Sequence, residues 1–130
     1  MLKDRIIYWS PRLLTIFAIG FISVFALDAF DPKLSLTQQI LGFLLHMVPS
    51  FLLIAILLYT WKHEKTGGLI LILLGICFTP VIFIKNYQHN GNMAISLSII
   101  ALVCLPFIIA GVLFLYSHWW RNRQKNDKLF

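Results

Sequence analysis

Four long apolar runs follow one another along this chain, with only short polar segments between them. A helix crosses the hydrocarbon of a bilayer in about 20 mostly apolar residues, and each run reaches or approaches that length. Backbone polar groups cannot stay unpaired in lipid, so an apolar run inside a bilayer must be a helix. The expected fold class is therefore all-α: a four-transmembrane-helix antiparallel bundle.

Composition agrees. Of 130 residues, 59% are hydrophobic and 12% charged. A soluble domain of this size buries only about 60–70% of its unfolded surface and could not hide so much apolar area. A soluble enzyme, a disordered chain and a disulfide-built secreted domain are all excluded. One membrane domain is expected over residues 1–130.

The spans read as residues 11–30, 36–61, 67–84 and 93–119, followed by a basic tail at 121–130. Ser10 and Pro11 have the form of an N-cap and a first helical residue, with Ile6 to Trp9 as an interfacial approach. Ser35 and Gln38 form a capping-box pattern before the second span. Thr66 and Asn92 are the cap candidates for the third and fourth. Asp31-Pro32 marks a turn, and residues 62–66 and 85–92 read as loops. No small-x-small cleavage site follows the first run, so it is expected to remain as a span.

Eleven Lys and Arg against five Asp and Glu give a net charge of +6. Nine of those cations fall at one end of the bundle: Lys3, Arg5, Arg12, Lys62, Lys65, Arg121, Arg123, Lys125 and Lys128. Only Lys33 and Lys85 fall at the other. The positive-inside rule then places both termini in the cytoplasm. Trp9, Trp61, Trp119 and Trp120 share the basic end, as an interfacial aromatic belt would. The expected partners are the lipid bilayer and anionic lipid at the basic inner face, with a homo-oligomer or a membrane protein partner also open; no nucleic acid is expected. The bias fits a bacterial cytoplasmic (inner) membrane.

Ionisable groups within a span are costly, which makes each a functional candidate. At 1.5 Å per residue Asp28 lies about 24 Å above Arg12, His46 about 22 Å above Trp61, and Lys85 about 27 Å above Gly67. Asp28, His46 and Lys85 thus share one outer level, with Ser50 one turn below His46. Two readings stand. Asp28 is a structural residue tied to the first loop or second helix, or Asp28, His46, Ser50 and Lys85 line an outward-facing polar pocket. Pro49, Pro80 and Pro106 lie within spans and either bend the helices or open a cavity. Gly20, Gly42, Gly75 and Gly111 are expected at helix contacts, with Ala94, Ser98 and Ala101 on the packing face of the fourth helix and Gly67-Gly68 in the hairpin.

Chemistry is sparse. No phosphate loop, metalloprotease motif or nucleophile elbow is present. Cys77 and Cys104 form no Cys-x-x-Cys pair and read as buried structural thiols. Glu64 is flanked by Lys62, His63 and Lys65 and reads as a solvated ion pair. His46 and His89 lie outside and His63 and His118 inside, which is not the facing pair a haem would need. No catalytic residue, metal or cofactor is expected, and the chain is not expected to be an enzyme.

Tyr8-Trp9-Ser10-Pro11-Arg12-Leu13-Leu14, Phe25-Ala26-Leu27-Asp28-Ala29-Phe30, His46-Met47-Val48-Pro49-Ser50 and Trp61-Lys62-x-Glu64-x-x-Gly67-Gly68 resemble a family of small prokaryotic four-helix integral membrane proteins of uncharacterised function. The resemblance covers residues 6–76. It implies the same four-helix layout and no particular activity, and it marks Asp28, His46, Pro49, Trp61 and Glu64 for testing. The chain is also similar to small multidrug exporters in size and helix count. Those carry an essential acid deep in the first helix, whereas Asp28 lies near the outer end. The expected function is an accessory or scaffold protein, or a small-ligand or lipid-binding bundle. The alternative is a homo-oligomeric transporter or channel using Asp28 and His46.

Overall fold

The computed structural model describes residues 2–127. Helix α1 spans Leu2–Val24 and tightens into a 3-10 segment over Phe25–Ala29. It is followed by α2, Leu36–Lys62, α3, Glu64–Asn90, α4, Met93–Val103, and α5, Leu105–Asp127. Helices α4 and α5 together make one span, so four stretches are long and apolar enough to cross a membrane. The chain is an integral membrane protein by that length and composition.

Its surface supports the same conclusion. Large apolar side chains such as Phe17, Leu41, Leu45, Leu73 and Leu102 stand exposed along every span. Soluble monomers rarely expose contiguous apolar patches beyond a few hundred Å²; hydrocarbon is the solvent in which this surface costs nothing.

Two caps form as read from the sequence. The Ser35 hydroxyl accepts from the Gln38 amide at 3.4 Å, and the Gln38 side chain accepts from the Ser35 amide at 3.1 Å. Asn92 accepts from the Ala94 and Ile95 amides at 2.9 and 3.3 Å. The turn at Asp31 also forms, its carboxylate accepting from the Lys33 amide at 2.9 Å.

Three boundaries differ from the sequence reading. Helix α1 begins at Leu2, which puts Pro11 in its interior instead of at its start. Tertiary bonds hold the extra turns: Asp4 accepts from Trp120 Nε1 at 3.1 Å and from Gln124 Nε2 at 2.7 Å. Helices α2 and α3 are joined by His63 alone, so Thr66 is helical and exposed and caps nothing. Helix α3 runs on through residues 85–90 and ends where Gly91 adopts φ 62°, a left-handed conformation open to glycine without a Cβ penalty. Beyond the fourth span, residues 121–127 continue α5 as helix; the tail residues 128–130 lie outside the described residues.

Helix α5 packs against α3 and α1, and α2 joins the bundle through α1 and α3. The core is Ala18, Ile19, Leu57, Leu71, Phe107, Ala110 and Phe114. The closest approach is between α3 and α5. A Cβ placed on Gly68 would meet the Gly111 carbonyl oxygen at 2.8 Å, and one on Gly111 would meet the Gly68 oxygen at 2.5 Å. Only glycine lets two backbones come this near. Gly20, by contrast, has nothing within 4 Å of its Cβ position, and Gly42 meets only Ala29. Ala94, Ser98 and Ala101 are exposed; the buried face of the fourth span carries Ser96, Cys104, Phe107, Ala110 and Gly111 instead. Cys77 is exposed and only Cys104 is buried.

Candidate functional site

The residues singled out at the outer level separate into one buried and three exposed. Asp28 lies exposed in the 3-10 segment, and Lys85 lies exposed on α3. His46 is exposed, its Nδ1 2.8 Å from the Gly42 carbonyl oxygen one turn back. Among the described residues no hydrogen bond or ion pair joins Asp28, His46 and Lys85. Ser50 is fully buried, with its hydroxyl 3.0 Å from that of Ser23 on α1. It thus bonds across helices, from α2 to α1.

Beneath Lys85 lies a cavity of about 360 Å³ between the helices, open on the outer face of the bundle where Pro49, Leu52, Phe78 and Val81 are exposed. Its wall is formed by Ile22 of α1, Pro49 and Leu53 of α2, Phe78 of α3, and Cys104 and Phe107 of the fourth span; Lys85 sits at its edge. Pro49 is the one proline among its lining residues, and Pro80 and Pro106 lie at a similar height. Gly67 abuts Thr60, and Gly75 abuts Ile108 and the Cys104 carbonyl, which fixes the relative heights of α2, α3 and α5. Counting from those contacts, Pro49, Pro80 and Pro106 fall within roughly 8 Å of one another along the membrane normal. A helix-interior proline lacks the amide that would bond the carbonyl four residues earlier and clashes with it. The fourth span departs from regular helix for one residue there, Cys104 between α4 and α5, while its backbone stays in the right-handed helical region.

At the opposite end the bundle holds a second polar construction. Arg12 and Glu64 are sealed from solvent and joined by a 2.7 Å hydrogen bond from Arg12 Nη2 to Glu64 Oε1. Glu64 Oε2 lies 2.5 Å from Arg121 Nη2, whose side chain is half exposed. Arg12 also donates from Nη1 to the Tyr8 carbonyl. Its guanidinium stands over the Tyr8 ring at 3.5 Å, and that of Arg121 lies 5.5 Å from the same ring. One carboxylate thus ties the middle of α1 and the start of α3 to the last turns of α5. Glu64 is a buried, doubly paired acid and not a solvated one; its partners come from other helices, not from the flanking lysines. Beside this cluster a cleft of about 290 Å³ opens between the first turns of α1 and the last turns of α5.

In the sequence Arg12 and Arg121 stand out only as topology charges, and Ser117, which is buried at this cleft, does not stand out at all. A signal was present. Phe107, Ala110, Phe114, Ser117 and Arg121 recur at three- and four-residue steps, the spacing of one helix face. Polar residues on such a core-facing stripe need partners or a ligand.

These features define a class: a four-span membrane bundle, with a proline-level cavity toward one end and a buried ionic tie at the other. The chain belongs to the family described as a domain of unknown function, DUF7670, whose model matches residues 1–127. The match covers both halves of the chain and so extends past residues 6–76. No curated protein and no solved structure matches it.

Proposed function

We propose that this protein is a non-catalytic membrane bundle that binds a single-chain amphiphile, its acyl chain in the proline-level cavity and its acidic head beside Lys85. The cavity carries the reading. Its volume of about 360 Å³ falls in the usual range of about 300–1,000 Å³ for ligand sites. Its wall is apolar, and the one ionisable cation on it is at the edge. A lysine stem can lie along apolar surface with its ammonium at the water boundary, where it pairs with an acidic headgroup.

The same reading puts the protein in a bacterial cytoplasmic membrane with both termini inside, which the distribution of cations supports. The aromatic belt supports it too: Trp9 and Trp61 meet edge to face at 6.5 Å, and Lys3 lies over Trp120 at 5.0 Å, all at the basic end.

The test is native mass spectrometry of the full chain released from mild detergent, beside Val81→Trp and Leu52→Trp. Both positions line the cavity and are half exposed, so the larger ring can fill the space without displacing core. The wild type should carry an added mass of a single-chain lipid that both variants lose, and Lys85→Gln should retain less of it. A wild type that leaves detergent bare, or variants that keep the same adduct, would overturn the assignment.

A further inference from the structure

We infer that the cleft at the basic end is a phosphate-binding site, separate from the cavity and independent of what fills it. The cleft lies between α1 and α5 and is bounded by Arg5, Tyr8, Ser117, Trp120, Arg121 and Gln124, with Asp4 at one side. Ser117 is fully buried, yet its hydroxyl has no hydrogen-bond partner among the described residues. Serine in a membrane helix ordinarily bonds back to the carbonyl four residues earlier. Thr15, Thr60, Thr79, Ser96 and Ser98 all do so, at 2.6–2.9 Å. Ser117 departs from that habit at the cleft, which leaves a donor for something that enters it.

The electrostatics select an anion. Lys3, Arg5, Arg12 and Arg121 gather around the cleft beside the carboxylates of Asp4 and Glu64, and both of these are engaged. Glu64 is held by Arg12 and Arg121. Asp4 faces Trp120 Nε1 and Gln124 Nε2. Arg5 is exposed, and Arg121, which touches Glu64 through Nη2, lines the cleft with its side chain half exposed. A guanidinium presents five donors in a planar fork that matches phosphate oxygens. Two guanidiniums and a hydroxyl on one cleft suit a tetrahedral phosphate better than a planar carboxylate. Tyr8 and Trp120 flank the cleft, and such rings settle at the headgroup level of a bilayer. The phosphate could come from a lipid headgroup or from a soluble phosphate ester, and the chemistry of recognition is the same.

The experiment uses the full chain in phosphatidylcholine nanodiscs. Phosphatidylglycerol is titrated in one arm and inorganic phosphate in the other, and occupancy is read by native mass spectrometry. Arg5→Gln and Ser117→Ala alter the cleft. Arg123→Gln with Lys125→Gln removes two cations from α5 outside it. Losing one charge-assisted contact should weaken binding by about tenfold in Arg5→Gln, with a smaller loss in Ser117→Ala, while the Arg123/Lys125 pair binds as the wild type does. Saturable binding of phosphatidylglycerol alone assigns the site to a lipid headgroup. Binding of inorganic phosphate with the same variant dependence assigns it to a soluble phosphate. An equal loss in the Arg123/Lys125 pair would reduce the effect to general basic attraction and overturn the inference, as would no binding in either arm or binding unaltered by Arg5→Gln and Ser117→Ala.

Discussion

Arg12 and Glu64, 52 residues apart in the chain, meet at 2.7 Å with both side chains withdrawn from solvent. Such a pair is held to its place by the cost of separating it. Taking two charges from water is expensive, and their attraction roughly offsets that cost only while both are present.

Removal of one partner should therefore be severe and removal of both mild. Glu64→Gln leaves Arg12 buried without its counter-ion, and breaking a buried pair typically costs about 3–5 kcal/mol. Arg121→Gln, whose side chain is half exposed, should cost under about 1 kcal/mol. The double variant Arg12→Met with Glu64→Leu should recover most of the loss in Glu64→Gln. Thermal unfolding in detergent reads all three; a Glu64→Gln protein as stable as the wild type would show that the pair does not hold the helices.

The seam between α3 and α5 makes a sharper distinction among glycines. Gly68→Ala drives a Cβ to 2.8 Å from the Gly111 carbonyl oxygen, and forcing extra volume into a packed contact costs about 1–3 kcal/mol. Gly20→Ala meets nothing within 4 Å and should gain up to about 1 kcal/mol from helix propensity. Opposite shifts in melting temperature are expected, and equal shifts would contradict the close approach.

Helix α2 starts at a reciprocal cap. Ser35→Ala removes the acceptor of the Gln38 amide, and loss of such a cap costs about 1 kcal/mol. Asn92→Ala, which frees the Ala94 and Ile95 amides, should cost a similar amount. Hydrogen exchange at Gln38 and at Ala94 should accelerate in the respective variants while the core amides keep their protection. Unchanged exchange at both sites would mean that the caps are not formed.

Asp28 and His46 should prove tolerant. Both are exposed, and His46 makes a bond only within its own helix. Asp28→Asn and His46→Ala are expected to stay within about 0.5 kcal/mol of the wild type in thermal unfolding. A large loss from either would point to a buried partner that the structure does not contain.

Much of the fold could be read directly because its causes are local. Ser35 and Asn92 carry their own acceptors to the first amides of α2 and α4. The four spans follow from apolar length alone, since lipid accepts no other backbone arrangement. The errors came where distant groups intervened. Pro11 looked like a helix start by local rules, but Asp4 meets Trp120 and Gln124 from the far end of the chain and holds α1 helical from Leu2. The polar residues 85–90 looked like loop, yet α3 continues until Gly91 can turn the chain.

The candidate sites divide along the same line. The sequence by itself determined that this chain spans a bilayer four times, that its cations gather at one end, and that the second, third and fourth apolar runs each carry an internal proline. These are properties of single segments, set by transfer of side chains into hydrocarbon and by the missing amide of proline. Only the tertiary structure decided that Glu64 is paired with Arg12 and Arg121 and not with its neighbouring lysines, that Ser50 meets Ser23, and that Pro49 faces an apolar cavity shared with α1, α3 and the fourth span. Those outcomes depend on helix rotation and relative height, which are fixed by close contacts such as Gly68 on Gly111. A helix that is apolar on every side does not encode its own rotation in its hydrophobic pattern.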